Sequence, residues 1–197
     1  MNLPVASSTN FGSHYSAEIH ALKPLTAWSG DMGNAWLERT PESPDRIDAL
    51  TALWREISAY MGDEPKSVLE IGPGRGEHIE ALQNIWPGLN NVSIVEPNQN
   101  ARRYCVEKFN CYGYMGHAGS IPLGDNTMDL VFTSGVLIHV PPDELPVAYR
   151  EIHRVARKWI VSIEYFSQKP ESIEWRGKKG LLFKRDFGAL WCQMFPQ

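Results

Sequence analysis

From Lys66 onward the chain alternates short apolar runs of strand length with amphipathic stretches of helical period, and this rhythm constrains the fold more than any other feature. "SVLEI", "NVSIVEP", "YGYMGHA", "MDLVFTSGV" and "KWIVSIEYF" read as five strands. "GEHIEALQNIW", "NQNARRYCVEKFN" and "PDELPVAYREIHRVAR" read as helices among them. Such alternation predicts right-handed crossovers and an α/β fold, a mostly parallel sheet with helices on both faces. The segment before it reads as helical. "YSAEIHALKPL" is a weak helix ended by Pro24, and "GDMGNAWLERT" a short one. "SPDRIDALTALWREISAYMG" is the strongest, with Ser43 as N-cap and Pro44 at the first helical position. The expected organisation is one domain in three parts: a helical lid or cap over 1–62, a sheet core over 63–166 and a short C-terminal segment over 167–197.

In such a sheet the ligand binds beyond the carboxyl ends of the strands. The loop after the first strand, "SVLEIGPGRGEHIEAL", therefore faces it, with Gly72, Gly74 and Gly76 spaced as G-x-G-x-G. Glycines there let a ligand approach the main chain. The dinucleotide pattern needs a further glycine where Glu77 stands, and a carboxylate there would repel a pyrophosphate. Glu70 adds a second negative charge just before the loop. Both suit a ligand with positive charge, such as an α-ammonium or a sulfonium. Glu96, at the end of the second strand in "SIVEPN", stands where a carboxylate can accept hydrogen bonds from both hydroxyls of a ribose.

Composition narrows the partners. The net charge of −4 and the single short basic cluster, "WRGKKGLLFKR", argue against a nucleic-acid surface. Neither a membrane-spanning run nor a signal-peptide pattern is visible, so a cytoplasmic protein without membrane contact is expected. Cys105, Cys111 and Cys192 show no metal-ligand spacing and read as small buried or half-buried residues; no metal is expected.

"VLEIGPGRGEHIEAL", "VSIVEPN", "AGSIPLGDNTMDLVFTSGVLIHV" and "LPVAYREIHRVARKWIVSIEY" resemble successive motifs of the class I S-adenosylmethionine-dependent methyltransferases, over residues 66–166. The resemblance implies a Rossmann-like class I methyltransferase fold with S-adenosyl-L-methionine as cofactor. It places Glu70, Gly72 and Gly74 under the methionine part and Glu96 at the ribose, with Gly76 and Pro97 also among the cofactor-binding residues. Gly119, Ser120 and Ile121 would border the adenine, and Ser134 and Gly135 would flank the sulfonium. Trp28 and Trp36 fall where many of these enzymes carry a lid, Trp28 as a cofactor contact. His139, just beyond the fourth strand, would be a base or a substrate contact. Glu164, Tyr165, Arg176 and Lys184 would lie on the acceptor side, and Asp129, at the far end of the fourth strand, reads as structural.

"WSGDMGNAWLERT" and the "EYF…WRG…LLFKRDFG" run are further similar to the methyltransferases associated with pseudaminic acid biosynthesis. That implies a small acceptor, methylated on N or O, in the class of sugars or sugar-like metabolites. The alternatives are a non-catalytic cofactor-binding or scaffold protein, and a nucleic-acid or protein methyltransferase. The tail departs from the family: only "GLLFK" offers a strand after Tyr165, so the final antiparallel hairpin reads as truncated. The fifth strand would then sit at an open edge, where the tail could cover it or a second copy could pair as a homodimer.

Overall fold

The computed structural model describes residues 23–196. Five strands form one parallel sheet: β1 (Val68–Ile71), β2 (Val92–Val95), β3 (Tyr112–Tyr114), β4 (Met128–Ser134) and β5 (Ala156–Ile163), in the order β3-β2-β1-β4-β5. β1, β2 and all but the last residue of β4 are buried, as a parallel sheet covered on both faces requires. Side chains alternate between the faces. Leu69 and Ile71 join one core with Val95, Val131, Tyr149 and Ile152. Val68 joins the other with Trp54, Ile79, Leu82, Ile94 and Phe132.

Three helices precede the sheet: α1 (Lys23–Ser29), α2 (Asp31–Arg39) and α3 (Pro44–Met61). The helix expected to end at Pro24 lies largely outside the described residues. Pro24 itself lies in the first turn of α1, where proline's missing N–H costs nothing. Ser43 caps α3, its side chain accepting from the Arg46 N–H, with Pro44 at the first position as expected. α4 (Glu77–Ile85), α5 (Gln99–Phe109) and α6 (Leu145–Val155) are the crossover helices. α3, α4 and α5 supply the Trp54 core, and α6 backs the opposite face.

β5 begins at Ala156, directly after α6, earlier than the sequence suggested. Arg157 explains the shift. Its guanidinium donates to Asp129 Oδ1 at 2.6 and 2.9 Å, drawing the segment into register with the start of β4. Asp129 also accepts from the Lys66 N–H and so has the structural role expected of it.

The C-terminal segment forms two strands where the sequence offered one. β6 (Glu171–Trp175) and β7 (Lys178–Lys184) make an antiparallel hairpin that is a sheet of its own, and α7 (Phe187–Met194) follows. Among the described residues the main sheet ends at β5, and the hairpin is not joined to its edge. Leu182 and Phe187 carry this segment into the Tyr149 core. Cys105 and Cys111 are buried, whereas Cys192, on α7, is exposed, contrary to the sequence reading.

Candidate cofactor and acceptor site

Parallel register brings three strand ends together. Ile71 pairs with Val95 on one side and with Thr133 on the other, so the loops after β1, β2 and β4 converge. They form the floor of a cavity of about 520 Å³, and α1 and α2 close over it. Gly72 and Gly74 have φ of +67° and +57°, a region that glycine adopts freely. A Cβ on Gly72 would lie 2.7 Å from the Val136 side chain, and one on Gly74 would lie 2.8 Å from the Trp36 ring. The loop is thus pressed between the β4 loop and the lid. Arg75 ties it to α2, donating to the carbonyls of Thr40, at 2.7 Å, and Leu37.

Two acids line the cavity with little to offset them. Glu70 is 1 % exposed and its Oε2 has no hydrogen-bond partner among the described residues. Burial, then the charges of Glu96 and Glu77, push its pKa well above the usual carboxylate value. Glu96 is buried and pushed up to about 7, chiefly by burial, against the pull of the Asn98 and Gly74 N–H groups and Arg102. The Asn98 N–H donates to Glu96 Oε1 at 2.7 Å. Glu77 differs: it lines the same cavity, but its carboxylate is paired with Arg46 and accepts from the Ser43 N–H. Its charge is largely spent within the fold, so repulsion of a phosphate by Glu77 is weaker than the sequence implied.

Of the residues expected at the cofactor, Trp28, Glu70, Gly72, Gly74, Glu96, Pro97, Gly119, Ser134 and Gly135 line the cavity, as does Trp36. Gly76 does not. It stands before α4 at φ +71°, where a Cβ would lie 2.3 Å from the Phe109 ring, so packing is what requires glycine there. Ser120 and Ile121 are also displaced. The chain turns back between His117 and Ser120, and the Ile121 N–H donates to Glu151 Oε2 at 3.1 Å. His117 and Ala118 take their place beside Gly119 on the wall.

Sequence reasoning missed His117 and Asn98. Asn98 Oδ1 caps α5, accepting from the Asn100 and Ala101 N–H groups at 2.9 and 3.0 Å, while its Nδ2 donates to Asn34 Oδ1 at 2.9 Å and to the Trp28 carbonyl at 3.3 Å. One side chain thus joins the end of β2 to both lid helices. An asparagine just before a helical run was a visible cap signal; its reach to α1 and α2 was not.

On the acceptor side, His139 lines the cavity from a 3-10 turn, Leu137–His139. Its Nδ1 lies 2.6 Å from the Leu181 carbonyl, and its ring packs 4.5 Å from Trp28 and 6.2 Å from Trp175. A carbonyl can only accept, so Nδ1 holds the proton and Nε2 keeps its lone pair. Burial lowers the pKa and favours this neutral form. Glu164 is placed otherwise than expected. Its oxygens accept from the Val136 and Ile138 N–H groups at 3.2 and 3.3 Å, so it anchors the β4 loop rather than meeting substrate. Tyr165 and Lys184 pack on each other at 5.6 Å and do not line the cavity; Arg176 lies on the hairpin tip, also outside its walls.

Residues 69–159 match the model of a methyltransferase domain. The core has the class I methyltransferase fold. No curated protein matches the chain. Among solved structures it is similar to the PH0226 protein of Pyrococcus horikoshii, at 22 % identity and a TM-score of 0.53, over 61 % of this chain and 58 % of that one. A proposed methyltransferase from an antibiotic biosynthesis pathway of Anabaena variabilis is 26 % identical, with a TM-score of 0.50, over 62 % of this chain and 48 % of that one. The 1,6-didemethyltoxoflavin-N1-methyltransferase of Burkholderia thailandensis, solved with 1,6-didemethyltoxoflavin and S-adenosylhomocysteine, is 15 % identical with a TM-score of 0.58, over 97 % and 80 %. The chain thus spans a little over half the length of the Pyrococcus protein.

The donor set fits S-adenosylmethionine. An unpartnered carboxylate oxygen on Glu70 suits an ammonium, and the Glu96 carboxylate suits paired hydroxyls. Glycines without side chains leave room between them.

Proposed function

We propose that this protein transfers the methyl group of S-adenosylmethionine to an N or O atom of a small metabolite, a sugar or sugar-like acceptor. The observation that carries the reading is the pair of buried, under-compensated carboxylates, Glu70 and Glu96, flanking the glycine loop of a cavity that tryptophans roof. When bound, S-adenosylmethionine supplies a methyl group activated by its positively charged sulfur. Glu70 would hold the α-ammonium and Glu96 the ribose hydroxyls. Trp28 and Trp36 would exclude water, and His139 Nε2 would take the proton that the acceptor loses as it is methylated. The roof supports a small acceptor, because a cavity of about 520 Å³ partly covered by two helices suits a metabolite better than a polymer. The Burkholderia enzyme, with 1,6-didemethyltoxoflavin bound, is in keeping with this. Resemblance at both ends of the sequence to the pseudaminic acid-associated methyltransferases favours an acidic or amino sugar. Among the described residues the outer edge of β5 pairs with no other strand, which supports pairing with a second copy.

Calorimetric titration with S-adenosylmethionine and S-adenosylhomocysteine tests the cofactor site. Micromolar binding is expected, weakened in Glu96→Ala by roughly 1–3 kcal/mol as charge-assisted hydrogen bonds go. A panel of amino sugars, uronic acids and nucleotide sugars, scored by S-adenosylhomocysteine release, then tests the acceptor. Absence of cofactor binding sinks the methyltransferase reading; binding without turnover on any acceptor favours a scaffold.

A further inference from the structure

Next to Trp28 and His139 two arginines crowd one aromatic ring. The Arg39 guanidinium, at the end of α2, lies 5.5 Å from the centre of the Trp175 ring, and that of Arg176 lies 5.5 Å from the same ring. Trp175 in turn packs 5.7 Å from Trp28 and 6.2 Å from His139, both of which line the cavity. Like charges so placed repel. Among the described residues neither arginine is in an ion pair. Among the described residues Arg39 Nη2 is buried without a hydrogen-bond partner, and so is Trp28 Nε1. Burial and the charge of Arg176 lower the Arg39 pKa, which records the same lack of compensation.

The backbone adds a second observation. Trp175 pairs with Lys178, so Arg176 and Gly177 make a two-residue hairpin turn, with φ of +52° and +73°. Both values belong to a type I′ turn, whose first position favours asparagine, aspartate or glycine. An arginine held there is strained, and such strain gathers at ligand sites.

We propose that Arg39 and Arg176 form an oxyanion subsite beside Trp175, and that the methyl acceptor carries a carboxylate or phosphate that docks there. A planar guanidinium fork matches either group, and a bound anion offsets the repulsion that the pair otherwise bears. Trp175 packs 6.2 Å from His139, so an anion held by the two arginines stands one ring away from the base. This inference rests on the methyltransferase reading of the cavity for its placement of the acceptor.

The test follows the indole N–H signals of Trp28 and Trp175 in ¹⁵N-labelled protein during titration with inorganic phosphate, glucuronate and glucose. The two anions separate phosphate from carboxylate recognition, and glucose is the neutral control. Expected are saturable shifts with at least one anion, none with glucose, and binding at least tenfold weaker in Arg39→Gln and in Arg176→Gln. S-adenosylhomocysteine affinity should stay within twofold in both variants. Equal response to glucose, no response to either anion, or wild-type anion affinity in both variants overturns the subsite. If Arg39→Gln fails to fold, Arg176→Gln on the exposed hairpin tip decides alone. Loss of S-adenosylhomocysteine binding in the wild type would instead strike the methyltransferase reading, whatever the anions do.

Discussion

His139 owes its chemical state to its surroundings. The Leu181 carbonyl fixes the Nδ1 proton, and burial between aromatic rings disfavours the imidazolium. A base must be neutral before it can accept, so this arrangement prepares Nε2 for an acceptor proton. The ring should therefore protonate below the usual histidine value and hold its proton on Nδ1 through neutral pH. Nitrogen-resolved NMR of the imidazole checks both points. A ring that titrates at or above the ordinary value, or carries its proton on Nε2, would remove His139 as the base. At this scale the sequence was legible where chemistry follows position along a strand. Glu70 and Glu96 end or nearly end their strands and could be placed from spacing alone. Ser120, Ile121 and Glu164 were misplaced, because the direction of a side chain in a turn depends on backbone bonds that no spacing reveals.

The lid is an element whose ties to the sheet gather at a few side chains. α1 and α2 reach the rest of the molecule through Asn98 and Asn100, through Arg75, and through Trp36 packed on Gly74 and Trp28 packed on His139 and Trp175. Asn98→Ala removes the α5 cap and the bonds to Asn34 and Trp28 together. Loss of such a cap costs about 0.5–2 kcal/mol. The expected result is a fall of that order in denaturant stability, with faster amide exchange across α1 and α2. Equal loss of stability with unchanged exchange in the lid would show that Asn98 serves only α5. The sheet core was readable as elements because each buried strand is a continuous apolar run between breakers. β6 was not, since "ESIEW" alternates exposed polar with half-buried apolar residues and has no such run. Its partner is fixed by the turn at Arg176–Gly177, whose first residue is no usual turn signal.

Across the whole molecule, burial of ionisable groups around the cavity makes stability depend on pH in opposing ways. Glu96 has a folded pKa of about 7 against an ordinary 4.5, so the folded state binds more protons between those values. Stability from this group is therefore lost as pH rises from about 4.5 to 7. His78, pushed down to about 4 by burial, acts in the other direction, its contribution growing as pH rises from about 4 to 6.5. Glu70, raised well above the usual carboxylate value, acts in the same direction as Glu96, so a single wild-type pH curve blends several groups and does not isolate either of these two. Comparison with Glu96→Gln separates them, because glutamine has the shape of the protonated acid and does not ionise. The ligand-free variant should match the wild type near pH 4.5 and exceed it by about 3 kcal/mol at pH 7.5. Urea unfolding at a series of pH values measures the difference, and a gap that stays constant with pH would mean that Glu96 ionises normally. The same variant should bind S-adenosylhomocysteine more weakly, because its amide cannot accept hydroxyl bonds with the strength of a carboxylate. A substitution that stabilises the empty protein while weakening cofactor binding is what a site strained for its ligand produces. Saturating cofactor at 100 times its Kd would return about 2.7 kcal/mol to the wild type, close to what the ionised acid costs it.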